Sequence, residues 1–170
     1  MKKKMLLLAA IVLFLAAGKA VASPVHPGGW GVGVLWGSSI DGNTFHNNAA
    51  LSLKAPTMPV FWGIRLGLGD IVSLGLQGDI YLIGGELTRT LYWFLGVGAY
   101  GNFWFGDEAA ISFGARLPVG LSWQPLSFLE VFGNLAPQLG AHLYTGGGGG
   151  LTFPHGGIFG LELGVRVWLQ

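Results

Sequence analysis

Hydrolysis requires a nucleophile, a base and an orienting group in contact. The chain offers Ser112, Ser122 and Glu130, and four histidines, His26, His46, His142 and His155. Strand parity turns both serines and Glu130 to one face. No histidine falls at a comparable depth, so this stretch reads as polar packing and not as a triad. The histidines form no H-x-x-x-H or H-E-x-x-H metal motif. His46 and His155 lie in two glycine-rich or turn-like stretches and His142 near a strand end. The segment "GVGAYG", Gly96–Gly101, fits G-x-G-x-x-G. Phosphate cradling by that pattern needs a turn and then a helix, and here it lies inside a strand pattern. The expectation is a chain without catalytic residues, metal or cofactor, and not an enzyme.

The charges carry a clearer message. Lys54, Arg65, Asp79, Arg116, Glu130, Glu162 and Arg166 all share the parity of Gly31, Gly33, Gly63, Gly75, Gly96, Gly98, Gly114, Gly120 and Gly164. The other parity is apolar throughout: Trp30, Val32, Val34 and Trp36 at one end of the chain, and Phe159, Leu161, Leu163, Val165, Val167 and Leu169 at the other. A one-residue slip would exchange the faces, so the pattern specifies register as well as strand. Four basic against three acidic residues suit an internal ion-pair network.

The elements that position these residues are strands. Period-2 alternation marks eight segments, at about 29–37, 48–55, 58–68, 71–83, 90–105, 110–123, 127–143 and 157–169. Only 10% of the 170 residues are charged and 51% are hydrophobic, whereas a water-soluble domain usually carries about 25% charged residues. The apolar faces are too bulky in sum to fill an eight-stranded lumen, which just fits side chains. They therefore face lipid, and strands in lipid must close so that no edge is left unpaired. The fold class expected is all-β: an eight-stranded antiparallel transmembrane β-barrel with up-and-down connections. Trp30, Trp36, Trp93, Phe105, Trp123 and Phe159 are expected to form its aromatic girdles.

The single long apolar run opens the chain. Lys2–Lys4, an apolar core from Met5 to Gly18, and Ala20-Val21-Ala22 before Ser23 read as a cleavable signal peptide, 1–22, before a barrel domain, 23–170. Its removal leaves five basic and eight acidic residues, so no basic patch for nucleic acid survives. With no cysteine, neither disulfides nor a lipidated cysteine is available. An even strand number puts both termini on the periplasmic side. The outer connections are then 38–47, Gly69-Asp70, 106–109 and 144–156, and the inner ones Ala55-Pro56-Thr57, 84–89 and Gln124-Pro125-Leu126. Tyr81, Tyr92, Phe94, Tyr100, Trp104, Phe128, Phe132 and Trp168 have inward parity, which argues for a packed interior and against a general porin.

The stretches "ALSLKAPTMPVFWGI", "LGLQGDIYLI", "GARLPVGLSWQPLSFLEVFGNLAPQLG" and "ELGVRVWL" resemble a family of small, largely uncharacterised bacterial outer-membrane barrels, comparable to the membrane domains of OmpA, OmpX and OmpW. The similarity covers most of residues 28–170, with Arg116–Trp123 and Ala136-Pro137 its most recognisable pieces. It implies an eight-stranded barrel inserted by the outer-membrane assembly machinery and transfers no catalytic residue. Such barrels commonly end on a lipid-facing aromatic. Here Leu169 holds that parity before Gln170, while Trp168 points inward.

The function expected is a membrane anchor in outer-membrane lipid that presents loops 38–47 and 144–156 to an unidentified extracellular partner. Two alternatives stay open: a narrow pore or lateral route for small hydrophobic molecules, and a soluble lipid-binding barrel with its faces reversed.

Overall fold

The computed structural model describes residues 29–41, 44–67, 72–105, 109–144, 150–155 and 159–169. The signal peptide expected at 1–22 lies outside the described residues. Among the described residues there are strands and turns and no helix.

In chain order the strands are β1 (Trp30–Asp41), β2 (Thr44–Lys54), β3 (Val60–Gly67), β4 (Val72–Thr88), β5 (Leu91–Phe105), β6 (Ala110–Arg116), β7 (Val119–Leu126), β8 (Leu129–Ala136), β9 (Gln138–Tyr144), β10 (Gly150–His155) and β11 (Phe159–Leu169). They make eight traverses. β6 and β7 are one traverse interrupted at Leu117-Pro118, β8 and β9 one interrupted at Pro137, and β10 and β11 together the last. Proline has no N–H to give the ladder. Pro137 still accepts from Leu117 N–H at 3.0 Å, and Pro118 from Gly96 N–H at 2.8 Å. Every neighbouring pair is antiparallel, and β1 pairs with both β2 and β11, which closes the barrel.

The strands are steeply tilted. A circuit of paired residues from Leu163 runs through Trp36, Ala49, Leu66, Leu74, Phe103, Ile111 and Leu143, and returns to the same traverse at Leu151. That stagger is the shear a closed barrel requires.

The faces divide as the parity requires. Val34, Leu135 and Leu163 are 64%, 50% and 52% exposed, whereas Arg116, Glu130 and Arg166 are each 1% exposed. An apolar exterior around a charged interior inverts the arrangement of a soluble barrel. The reversed-face alternative is therefore excluded, and the chain is a transmembrane β-barrel of the eight-stranded outer-membrane type.

Several connections differ from the sequence reading. The stretch 38–47 is mostly ladder: Ser38 pairs with Asn47 and Asp41 with Thr44. The stretch 144–156 contains β10, paired with β9. Both were polar or glycine-rich enough to resemble loops, but a ladder satisfies backbone groups whatever the side chains are. The stretch 84–89, expected as an inner connection, is not a turn. β4 continues to Thr88 through irregularities between Tyr81 and Ile83 and between Glu86 and Thr88, and the turn is Arg89-Thr90. The first irregularity shifts the parity, so that Ile83 and not Leu82 is the strongly exposed residue. β7 likewise runs through Gln124-Pro125-Leu126 to a turn at Ser127-Phe128, which leaves Phe128 half exposed instead of inward.

Candidate functional site: the charged lumen

Inward side chains meet at mid-height in two clusters. The first is built on Glu162 of β11. Arg116 of β6 holds it with both ends of its guanidinium, Nη1 to Oε1 and Nη2 to Oε2, each at 2.8 Å. Arg65 of β3 donates to Oε1 at 2.5 Å. Asn134 of β8 donates to Oε2 at 3.1 Å, and Gln77 of β4 at 3.4 Å. The Gln77 amide oxygen lies between the two arginines, accepting from Arg116 Nη1 at 2.5 Å and from Arg65 Nη2. Asp79 completes the cluster with Oδ1 at 3.1 Å from Arg116 Nε. That contact lacks hydrogen-bond alignment, so it acts through charge.

The second cluster is built on Arg166, also of β11. Its Nη1 donates to Glu130 of β8 at 2.6 Å, and its Nη2 and Nε reach Ser52 of β2 at 2.9 and 3.3 Å. Glu130 also accepts from Ser122 at 2.8 Å and from the Trp168 indole N–H at 2.9 Å. Aromatic faces surround the guanidinium carbon, with Phe132 at 4.4 Å and Phe61 at 4.9 Å, the geometry of cation–π attraction. Phe61, Tyr81 and Phe94 stack in succession, with centroids 4.2 and 4.1 Å apart.

Across the two clusters, three arginines face three carboxylates. Matching of this kind is what makes buried charge tolerable, because desolvation costs several kcal/mol per ion and only close, hydrogen-bonded partners offset it. The glycines on the same face keep room for these side chains. A Cβ on Gly98 would collide with the Asp79 carboxylate, and one on Gly31 would meet the Arg166 stem. The closing strand contributes most: among the described residues, three of the four ion pairs use Glu162 or Arg166. The network therefore exists only once β11 has been placed.

Of the seven charges grouped by sequence, six enter these clusters. Lys54 does not. Its ammonium donates to the carbonyl of Ala55 at 2.6 Å and to that of Met58, and stands 5.6 Å from the Phe61 ring, so it caps the β2–β3 turn. Gln77, Ser52, Asn134 and Ser122 were not assigned to the network by sequence. Their inward parity was the available signal: Gln77, Ser52 and Asn134 lie two or four residues from a grouped charge, and Ser122 lies six from Arg116.

The girdle residues are spread along the barrel. Trp30 opens β1 opposite Leu169, and Trp93 and Trp123 lie near the same end on β5 and β7. Phe105 ends β5 at the opposite side. Phe159 pairs with Ile40, four residues beyond Trp36, so Trp36 stands inside the apolar belt and not at its outer margin.

No family model matches the chain, and no curated protein matches it. Among solved structures it is similar to the crystal structure of Neisserial surface protein A (NspA), at 11% sequence identity and a TM-score of 0.47, over 84% of this chain and 98% of that chain.

Proposed function

We propose that the protein is a bacterial outer-membrane barrel, placed there by the assembly machinery with both termini periplasmic, whose role is to anchor the β1–β2 and β9–β10 hairpins at the cell surface. Its lumen is a plug and not a pathway. It performs no catalysis and uses no cofactor, metal or nucleic acid. The observation that carries this reading is the Glu162 cluster: side chains from β3, β4, β6 and β8 converge on one carboxylate in the middle of the barrel. A solute passing through would have to separate those pairs.

Two measurements test it. The purified barrel in planar bilayers is expected to give no discrete current steps, and reproducible unitary openings would overturn the plug. Because the chain has no cysteine, Asn47→Cys and Thr57→Cys each introduce a unique thiol. An impermeant maleimide added to intact cells is expected to label the first and not the second, and the reverse pattern would invert the proposed orientation.

A further inference from the structure

Above the charged clusters the lumen changes character. On β5, β6, β9 and β10, four inward residues stand side by side in one register: Asn102 with Ser112, Ser112 with His142, and His142 with Thr152. The next inward row, one step further out, is Trp104, Ala110, Tyr144 and Gly150. The second row alternates large rings with small residues, and the Tyr144 ring lies across Gly150, where any Cβ would strike it. Trp104 meets the His142 ring edge-on, with centroids 5.6 Å apart, and Tyr144 stacks on it at 6.2 Å. Asn102 donates to Ser112 at 3.3 Å. Tyr100 forms the floor, its hydroxyl over Gly140. The outward face of the same wall is purely apolar at Phe103, Ile111, Phe113 and Leu143.

These two rows carry no formal charge other than that available to His142. Amide, hydroxyl and neutral imidazole groups each both donate and accept hydrogen bonds. A row of such groups beneath half-buried aromatic rings matches one ligand chemistry: a neutral sugar, whose hydroxyls also donate and accept and whose C–H faces pack on rings. A phosphate or carboxylate would find no arginine or lysine among them. The arrangement also follows the general form of small-molecule sites, with apolar and aromatic walls and a few convergent polar groups.

We propose that the concave face formed by Asn102, Trp104, His142, Tyr144 and Thr152, with the buried Ser112 holding Asn102, is a binding site for neutral saccharide, either free or as the headgroup of a glycolipid. Binding here does not depend on which way the barrel is inserted, so this proposal and the orientation proposed above stand or fall separately.

The test uses the full barrel in detergent, with folding of every variant confirmed by heat-modifiable gel mobility. Maltohexaose, cellohexaose and laminarihexaose are titrated by calorimetry, with an oligogalacturonate of equal length as the charged comparison. Saturable binding of at least one neutral hexaose is expected. Trp104→Ala and His142→Ala should each weaken it about tenfold, the scale of one lost stacking or hydrogen-bonding contact. Phe103→Ala, on the far side of the same strand, should leave it unchanged. In vesicles, competition by a neutral glycolipid would assign the site to a lipid-borne sugar, and its failure to compete would assign it to a free one. The proposal is overturned if no neutral hexaose binds the folded protein, if Trp104→Ala and His142→Ala bind as wild type, or if the charged oligomer binds equally well.

Discussion

The middle of this lumen and the mouth remote from Trp30 and Leu169 are built by opposite rules. In the middle, arginines and carboxylates from five traverses interlock, and nearly every group is fully buried. At the mouth, neutral polar groups and rings lie side by side along one wall, where Asn102 donates to Ser112 at 3.3 Å. The difference teaches where stability and recognition reside. Buried charge is tolerated only when closely matched, which is why the groups of the middle are paired across strands. Neutral polar groups cost less than charges to leave partly unpaired, so the mouth need not be matched as strictly as the middle.

The comparison breaks most directly at Glu162. Glu162→Gln removes the one carboxylate that holds Arg65 and Arg116 together, leaving two buried guanidiniums with Asp79. Removal of one partner from a buried pair costs about 3–5 kcal/mol. This variant should show the largest single-residue fall in urea midpoint and heat-modification temperature. A midpoint equal to wild type would mean that the network does not hold the barrel closed.

Arg166→Gln should cost less than Glu162→Gln. Glu130 would lose its guanidinium partner but keep the Ser122 hydroxyl and the Trp168 indole as donors. Replacing both members, Arg166→Leu with Glu130→Leu, should recover much of the loss, because a buried pair exchanged for apolar side chains is often near neutral. Urea titration of the two single variants and the double variant measures the coupling directly. A double variant as unstable as the sum of the two singles would show that the pair acts independently.

Much of this division was legible in the sequence. The parity of Arg65, Asp79, Arg116, Glu130, Glu162 and Arg166 placed them on one face, because period-2 alternation is a direct readout of strand faces. Their partner choice was not legible. Nothing in spacing tells whether Glu162 meets Arg166, four residues away on the same strand, or Arg116, forty-six residues away. It meets Arg116, since that depends on barrel stagger and not on local distance. Lys54 shows the other limit: its parity is inward, but it stands where β2 ends, and turn carbonyls capture its ammonium. The hairpin stretches 38–47 and 144–156 were misread for a similar reason, since polar composition marks loops and polar-faced strands alike.

Gly33→Ala probes whether the seam tolerates even a methyl group. The added Cβ would collide with the Val165 carbonyl across the β1–β11 ladder, where backbone cannot yield as a side-chain tip can. Overpacking of this kind costs about 1–3 kcal/mol. An intermediate fall in urea midpoint is expected, below that of Glu162→Gln, and no fall at all would mean that the seam gives way locally.

The smallest effect should come from the mouth. Asn102→Ala removes the donor to Ser112, a neutral hydrogen bond of about 0.5–1.5 kcal/mol. Asn102 is only half-buried, and the serine hydroxyl it leaves can rotate to another partner. The change should therefore fall at or below the low end of that range. The expected result is a urea midpoint close to wild type, beside the large fall in Glu162→Gln. A loss as great as that of Glu162→Gln would erase the distinction, making the mouth part of the same structural plug. A near-silent substitution would instead show that the outer wall holds its polar row for a purpose other than keeping the barrel folded.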